Sequence, residues 1–120
     1  MIKRYDINEN YAHSGIIKAG NYYFIGYCSG NIDKDIKSQV NGAIDYLEKR
    51  LQLVNLTLDD VVKLDLLFKN ISDIPKMEEV FKKRFKNYPV RKSIETNFNH
   101  DTLLFQLDAI AYKEEGITKL

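Results

Sequence analysis

The chain has 120 residues, a length typical of one domain, and its residues are 44% hydrophobic and 29% charged,. This composition excludes a wholly disordered chain, because enough apolar residues are present to build a core. With 18 basic and 17 acidic residues the formal net charge is +1, which argues against binding to nucleic acid or membrane through bulk charge,. The single cysteine, Cys28, excludes an intramolecular disulfide and a cysteine-based zinc site,.

The sequence predicts one domain over residues 1–120. No long apolar run follows the N-terminal MIKRYD, so a secretory signal is not expected,. Every apolar stretch is too short, or too interrupted by charge, to cross a bilayer,. We therefore expect a soluble cytoplasmic protein without a membrane partner.

The first third of the chain has the pattern of β-strands. Aromatic and β-branched residues occupy Ile16–Lys18 and Tyr22–Tyr27, and Gly20-Asn21 lies between them. A Gly-Asn pair between two such runs is typical of a β-hairpin.

From about Asp33 the apolar spacing becomes helical. The residues that define this first helix are Ile36, Val40, Ala43, Ile44, Leu47 and Leu51,. A strand follows, in which Val62, Leu64, Leu66 and Phe68 alternate with mixed residues,.

A second helix is predicted after Ser72-Asp73, since a capping side chain precedes Pro75 in the first turn,. Its apolar stripe is Met77, Val80, Phe81 and Phe85, and Tyr88-Pro89 ends it. Two strands complete the chain, Val90 to about Thr96 and Thr102 to about Tyr112.

The resulting order is strand-strand-helix-strand-helix-strand-strand. It predicts an α+β two-layer sandwich, with both helices on one face of a mixed sheet. The other sheet face still carries apolar side chains from the last strand, with Leu67 as a possible addition: Leu104, Ile110 and Tyr112. A contiguous apolar face on so small a domain favours a homo-oligomer.

Several motifs, in order from about Tyr11 to Tyr112, resemble the Rid family of reactive intermediate deaminases, also called YjgF or endoribonuclease L-PSP proteins. The first is the hairpin around Ile17-Lys18-Ala19-Gly20-Asn21, and the second is Asp60-Val61-Val62-Lys63-Leu64, similar to the family's "DVVK" strand. The last are Pro89-Val90-Arg91-Lys92-Ser93-Ile94-Glu95 and Leu107-Asp108-Ala109-Ile110-Ala111, which resemble "PARSxVE" and "IEAIA".

The resemblance implies a chorismate-mutase-like fold and a homotrimer whose sheets line a central barrel. It also implies hydrolysis of small enamines and imines of 2-oxo acids, of the 2-aminoacrylate or 2-iminobutyrate type, in a cleft between subunits. No metal or organic cofactor is implied, because an imine carbon is already electrophilic.

The resemblance also assigns the site residues. Arg91 falls on the family's carboxylate-binding arginine, whose fork of N–H donors grips both oxygens of a planar carboxylate. Ser93, in the same motif, is assigned with it to substrate binding, and Asp108 to handling the proton or the attacking water. The residues alone favour a different interpretation, in which Arg91 is a strand arginine paired with a neighbour such as Glu95 or Asp108.

The chain differs from the family pattern at several pocket positions. His13 stands where a tyrosine is expected and is a candidate acid or base,. Gly26 and Tyr27 replace the serine and glycine of "SGQ", and the resemblance assigns both positions to substrate binding. Tyr27 is predicted to narrow the substrate pocket. A helix asparagine of the family falls on Glu78.

These differences keep two alternatives open. One is a non-catalytic binder or regulator for small oxo acids on the same fold. The other is RNA binding or ribonuclease activity through the basic middle of the chain, because residues 76–92 carry seven basic side chains against two acidic ones,.

Overall fold

The computed structural model describes residues 1–115, which form one six-stranded sheet and two helices. The strands are β1 (Ile2–Asn8), β2 (His13–Ala19), β3 (Tyr22–Cys28), β4 (Val61–Phe68), β5 (Val90–Glu95) and β6 (Phe105–Tyr112). The helices are α1 (Ile36–Leu53) and α2 (Ile74–Arg84). The predicted α+β sandwich of a mixed sheet with two helices is confirmed.

The strands lie in the order β1-β2-β3-β6-β4-β5. The neighbours β4 and β5 run parallel, and the other described pairs run antiparallel. Helix α2 lies between β4 and β5 in the chain, and a parallel pair needs a crossover of this kind. This topology places β5, which carries Arg91, at one edge of the sheet.

The predicted hairpin joins β2 to β3. Ala19 pairs with Tyr22, so Gly20 and Asn21 form the connecting turn. Gly20 has a φ of +62°, which glycine adopts without the steric cost that a Cβ would bring,.

The core lies between the helices and one face of the sheet. Alternate residues of the last segment are buried towards α1 and α2: Leu103, Phe105, Leu107, Ala109 and Ala111. Their neighbours point to the opposite face, called the open face here, and are half-buried: Leu104, Gln106, Asp108, Ile110 and Tyr112. The alternation predicted for this strand is confirmed.

The structure corrects three details of the sequence prediction. The edge strand β1 was not predicted. The alternation predicts Val62 on the buried face of β4, but a register shift between Val61 and Lys63 leaves Val62 43% exposed and buries Val61 instead. Asp73 makes no side-chain cap to α2, because a 3-10 turn leads into the helix and holds Asp73 in a helical conformation rather than the extended one that caps use,.

Two contacts fix α1 against the rest of the fold. The buried Gln39 side chain donates to the carbonyls of Lys34 and Thr102 and accepts from the Leu104 N–H at 2.8 Å. Gly42 packs against the backbone of Gly30, which follows β3. Within residues 1–115, no helix is long and apolar enough to cross a membrane.

Candidate functional site

Arg91 lies at the edge of the sheet on the side of the helices. Its strand position pairs with Leu64, a buried residue of the core face. The side chain borders a hollow of about 240 Å³ between β5 and α2, called the Arg91 hollow. Its lining residues are Glu78, Phe81, Lys82, Tyr88, Pro89 and Arg91.

The guanidinium of Arg91 is paired with Glu78. Nη2 donates to Glu78 Oε2 at 2.6 Å, and the two side chains are 33% and 42% exposed. The partners considered from sequence, Glu95 and Asp108, are wrong. Glu95 accepts instead from the backbone N–H of Ile71, and Asp108 lies on the opposite sheet face.

Asp108 faces a second hollow, on the open face. Partial burial raises the pKa of the Asp108 carboxyl above its usual value, and the charge of Asp65 raises it further,. Asp65 lies on β4, directly opposite Asp108. The positive charges of Lys63 and Lys92 act against this shift and lower the pKa of Asp108. This hollow, the Asp108 hollow, has a volume of about 370 Å³. Its lining residues include Ser14, Gly26, Lys63, Asp65 and Asp108.

His13 and Tyr27 come together in a third place, as neighbours at the ends of β2 and β3. Their ring centroids are 6.2 Å apart. They line a hollow of about 290 Å³, called the His13 hollow. Its other walls include Asp6, Tyr11, Tyr46 and Arg50.

Arg50, which no sequence motif identified, supports both Gly26 and Tyr27. Its buried guanidinium donates from Nη1 to the carbonyls of Gly26 and Tyr27 at 3.1 and 2.9 Å, and from Nε to Asp6 at 3.1 Å. These carbonyls lie in a β-bulge, where two residues of β3 stand opposite Asp108 alone,. The sequence did contain a signal for a buried arginine, because Arg50 lies three residues after Leu47 and so falls on the apolar stripe of α1.

Ser93 lies two residues beyond Arg91 on β5 and is half-buried, in register with Leu66. It lines neither the Arg91 hollow nor the Asp108 hollow. Within one chain, the residues predicted for one pocket are therefore distributed over separate places. Arg91 and Asp108 in particular lie on opposite faces of the sheet.

Cys28 is fully buried, and burial raises the pKa of its thiol to about 12. A thiol in this state does not act as a nucleophile near neutral pH. Among residues 1–115, no group of three or more His, Cys, Asp or Glu side chains is placed to share a metal ion.

The basic stretch of residues 76–92 is partly neutralised in the fold. Arg84 donates to Asp45 at 2.7 Å and to Glu48 at 2.6 Å, which ties α2 to α1. Lys82 and Lys83 stay exposed on the last turns of α2. The positive surface is therefore smaller than the sequence suggests.

Comparison with known proteins defines the class to which this fold and these residues belong. The sequence model of the family described as Endoribonuclease L-PSP matches residues 2–113. A RutC family protein of Pyrococcus horikoshii is 34% identical over 110 residues, covering 85% of this chain and 87% of the relative. The chain therefore belongs to the Endoribonuclease L-PSP family, the Rid or YjgF family, as its motifs predicted.

Solved structures agree with this assignment. A hypothetical protein of Streptococcus pyogenes, described as a member of the yjgF family, is 50% identical with a TM-score of 0.93, covering 95% of this chain and 98% of its own. RidA from an Antarctic Psychrobacter is 21% identical with a TM-score of 0.78, covering 84% of this chain and 88% of its own, a likeness that concerns the fold alone.

Proposed function

We propose that the protein is a deaminase that hydrolyses small imines and enamines of 2-oxo acids, with Arg91 as the carboxylate anchor. The observation that carries this proposal is the Arg91 hollow. Among residues 1–115, the contact with Glu78 is the single hydrogen bond of the Arg91 guanidinium, so most of its five N–H donors are free for a ligand,.

The reaction needs little beyond orientation and proton transfer. The enamine first takes a proton at carbon to give the imine. Water then adds its oxygen to the imine carbon as the C=N electron pair moves to nitrogen. After protonation of the nitrogen the C–N bond breaks, ammonia leaves, and loss of the hydroxyl proton gives the 2-oxo acid. Each proton transfer needs a group whose pKa is close to the working pH.

Asp108 is the candidate for this proton transfer. Its raised pKa favours a protonated carboxyl over a wider pH range than an exposed aspartate would have,. His13 is the second candidate, beside Tyr27 in the His13 hollow. Gly26 lines the Asp108 hollow and Ser93 follows Arg91, so both stay assigned to substrate binding on the family resemblance.

We propose that a complete site is formed by more than one copy of the chain. Arg91 and Asp108 lie on opposite sheet faces, and His13 lines a third hollow, so these residues are distributed over the Arg91, Asp108 and His13 hollows of one chain. The half-buried apolar side chains of the open face also favour association. We propose the homotrimer that the family resemblance implies, with the substrate in a cleft between subunits.

Ammonia release from enzymatically generated 2-iminobutyrate tests the function. We expect wild-type protein to accelerate release above background, and Arg91→Ala to lower kcat/KM at least about tenfold, because charge-assisted hydrogen bonds to the carboxylate are lost. Lys83→Ala, an exposed cation of α2 outside the hollow, is the matched control. No acceleration by wild type would refute the deaminase proposal for this substrate, and full activity of Arg91→Ala would refute the anchor.

A non-catalytic binder of small oxo acids is the second candidate. It is favoured by the pairing of Arg91 with Glu78 and by His13, Gly26 and Tyr27 in place of the usual pocket residues. Saturable binding of 2-oxobutyrate without any acceleration of imine hydrolysis would select this function. RNA binding through exposed Lys82 and Lys83 is a third candidate, and it requires an affinity that falls steeply with added salt,.

A further inference from the structure

We propose that Glu78 is a specificity-determining residue, which selects ligands that carry a cationic nitrogen next to their carboxylate. This inference rests on the proposed function, because it takes Arg91 as the carboxylate anchor. It assigns to the same hollow a preference for the protonated imine over the oxo acid product.

The geometry sets two opposite charges side by side. Glu78 Oε2 accepts one hydrogen bond from Arg91 Nη2 at 2.6 Å. Among residues 1–115, Glu78 Oε1 has no hydrogen-bond partner, and Arg91 keeps its remaining donors. Phe81, Tyr88 and Pro89 form apolar and aromatic walls around the pair, and the exposed Lys82 of α2 completes the lining. A ligand in this hollow therefore meets an anionic acceptor next to a cationic fork.

A protonated 2-imino acid has the complementary arrangement. Its carboxylate and its N–H⁺ group are both attached to the same carbon, C2, so the carboxylate can bind Arg91 while the nitrogen donates to Glu78. The oxo acid product carries a carbonyl oxygen in place of the nitrogen. Two oxygen acceptors would then face each other, which is unfavourable without a proton between them. Glu78 should thus hold substrate and favour release of product.

Glu78 also competes with any incoming carboxylate for Arg91. A ligand without a cationic nitrogen loses affinity by this competition, because it makes no hydrogen bond to Glu78 that would compensate. A ligand with such a nitrogen recovers the loss through its own hydrogen bond to Glu78. Neutralising Glu78 should therefore change the affinities of the two ligand classes in opposite directions.

The test is calorimetric titration of wild type and Glu78→Gln with 2-aminobutyrate and with 2-oxobutyrate. We expect the variant to bind 2-aminobutyrate roughly three- to tenfold more weakly, the size of effect expected for a partly exposed charged hydrogen bond. It should bind 2-oxobutyrate more tightly than wild type does. Glu78→Asp retains the charge and should restore the preference for the amino ligand.

Glu79→Gln is the matched control, since Glu79 lies on the same helix but pairs with Lys37 outside the hollow. It should leave both affinities unchanged. Equal gains for both ligands in Glu78→Gln would overturn the selection by Glu78 while leaving the anchor intact. Failure of wild type to bind either ligand would instead overturn the Arg91 anchor, and with it this inference.

Discussion

Arg50 stabilises the bulge in β3 and orders the residues around it. Its guanidinium donates to the two carbonyls at the register shift between β3 and β6, and it contacts Asp6 on the edge strand. The Arg50 guanidinium also lies 4.6 Å from the centre of the Tyr46 ring. The bulge positions Gly26, which lines the Asp108 hollow, and Tyr27, which lines the His13 hollow. Arg50 therefore influences the shape of both hollows through the backbone.

Replacing Arg50 should therefore destabilise the protein. Arg50→Met keeps an apolar stem of similar length but removes the charged donor from both carbonyls, and the Gly26 carbonyl then keeps the weak thiol donor of Cys28 at 3.4 Å,. We expect a loss of about 2–4 kcal/mol in the free energy of unfolding. Urea denaturation measures this loss. Lys49→Met changes the exposed neighbour and should cost less than about 0.5 kcal/mol,. Equal stability of the two variants would show that the bulge does not depend on Arg50.

Asp108 should make stability depend on pH in a defined direction. Its native pKa is raised, so the folded state holds this proton more tightly than the unfolded state does,. As the pH rises from the ordinary pKa of 3.8 through the raised native value, stability falls, and the penalty is fully present above that value. Asp108→Asn cannot ionise and should escape the penalty.

We expect the melting temperature of Asp108→Asn to exceed that of wild type at pH 7, with a smaller difference at pH 3. Thermal scans of both proteins across this range measure the difference. Lys113→Gln, which removes one charge next to the end of β6, is the control. Its difference in melting temperature from wild type should not increase between pH 3 and pH 7. An advantage of Asp108→Asn that is larger at pH 3 would contradict the assigned direction of the pKa shift.

Helix α1 packs unusually close to the segment after β3. A Cβ built on Gly42 would lie 2.7 Å from the backbone carbonyl carbon of Gly30, closer than side chains come to backbone. Asn31 adds to this contact, since its amide donates to the Ser38 carbonyl at 2.9 Å. The pairing of Gly30 with Gly42 thus sets how the helix sits above the sheet.

Gly42→Ala should destabilise the protein even though alanine favours helix formation by about 1 kcal/mol over glycine. The methyl group would push α1 away from Gly30, and we expect a net loss of about 1–3 kcal/mol. Chemical denaturation measures it. Lys49→Ala, exposed on the same helix, should be neutral within about 0.5 kcal/mol,. A more stable Gly42→Ala protein would show that the close contact is not needed.

Most elements could be predicted from the sequence because their buried faces leave a period in it. The stripe of α1 and the alternation of β6 are of this kind. Strand β1 left no such period, because it is an edge strand in which Tyr5 and Asn8 are half-buried and the other residues are exposed. Strand β1 pairs with β2 through backbone hydrogen bonds, and such bonds leave no pattern of hydrophobic residues in the sequence.

The candidate site was predictable residue by residue but not as an arrangement. Family motifs identified Arg91 and Asp108, yet the face on which each lies follows from strand register, and the partner of Arg91 follows from the packing of α2 on β5. The pairing with Glu78 is a contact between residues 13 positions apart on different elements. No local spacing rule indicates it.

At the scale of the whole molecule, the open face is the main surface without a described partner. Apolar side chains from three neighbouring strands are aligned there by register: Ile17, Phe24 and Ile110. Phe24 is 46% exposed. Charged side chains of both signs lie beside them, including Arg4, Lys63 and Asp65. A second copy of this chain offers the same mixture of apolar and complementary charged groups.

A charge placed on this face should therefore separate the proposed trimer without unfolding the chain. Phe24→Lys would force a cation into the buried contact between copies, and we expect it to sediment as a monomer at concentrations where wild type sediments as a trimer. Leu53→Lys is the matched control, because Leu53 is 62% exposed at the end of α1, in the helix layer and not on the open face. It should sediment like wild type. If the site spans subunits, Phe24→Lys should also lose imine hydrolysis while keeping its melting transition. A monomeric wild type, or a trimeric Phe24→Lys, would contradict the assignment of this face to the subunit contact.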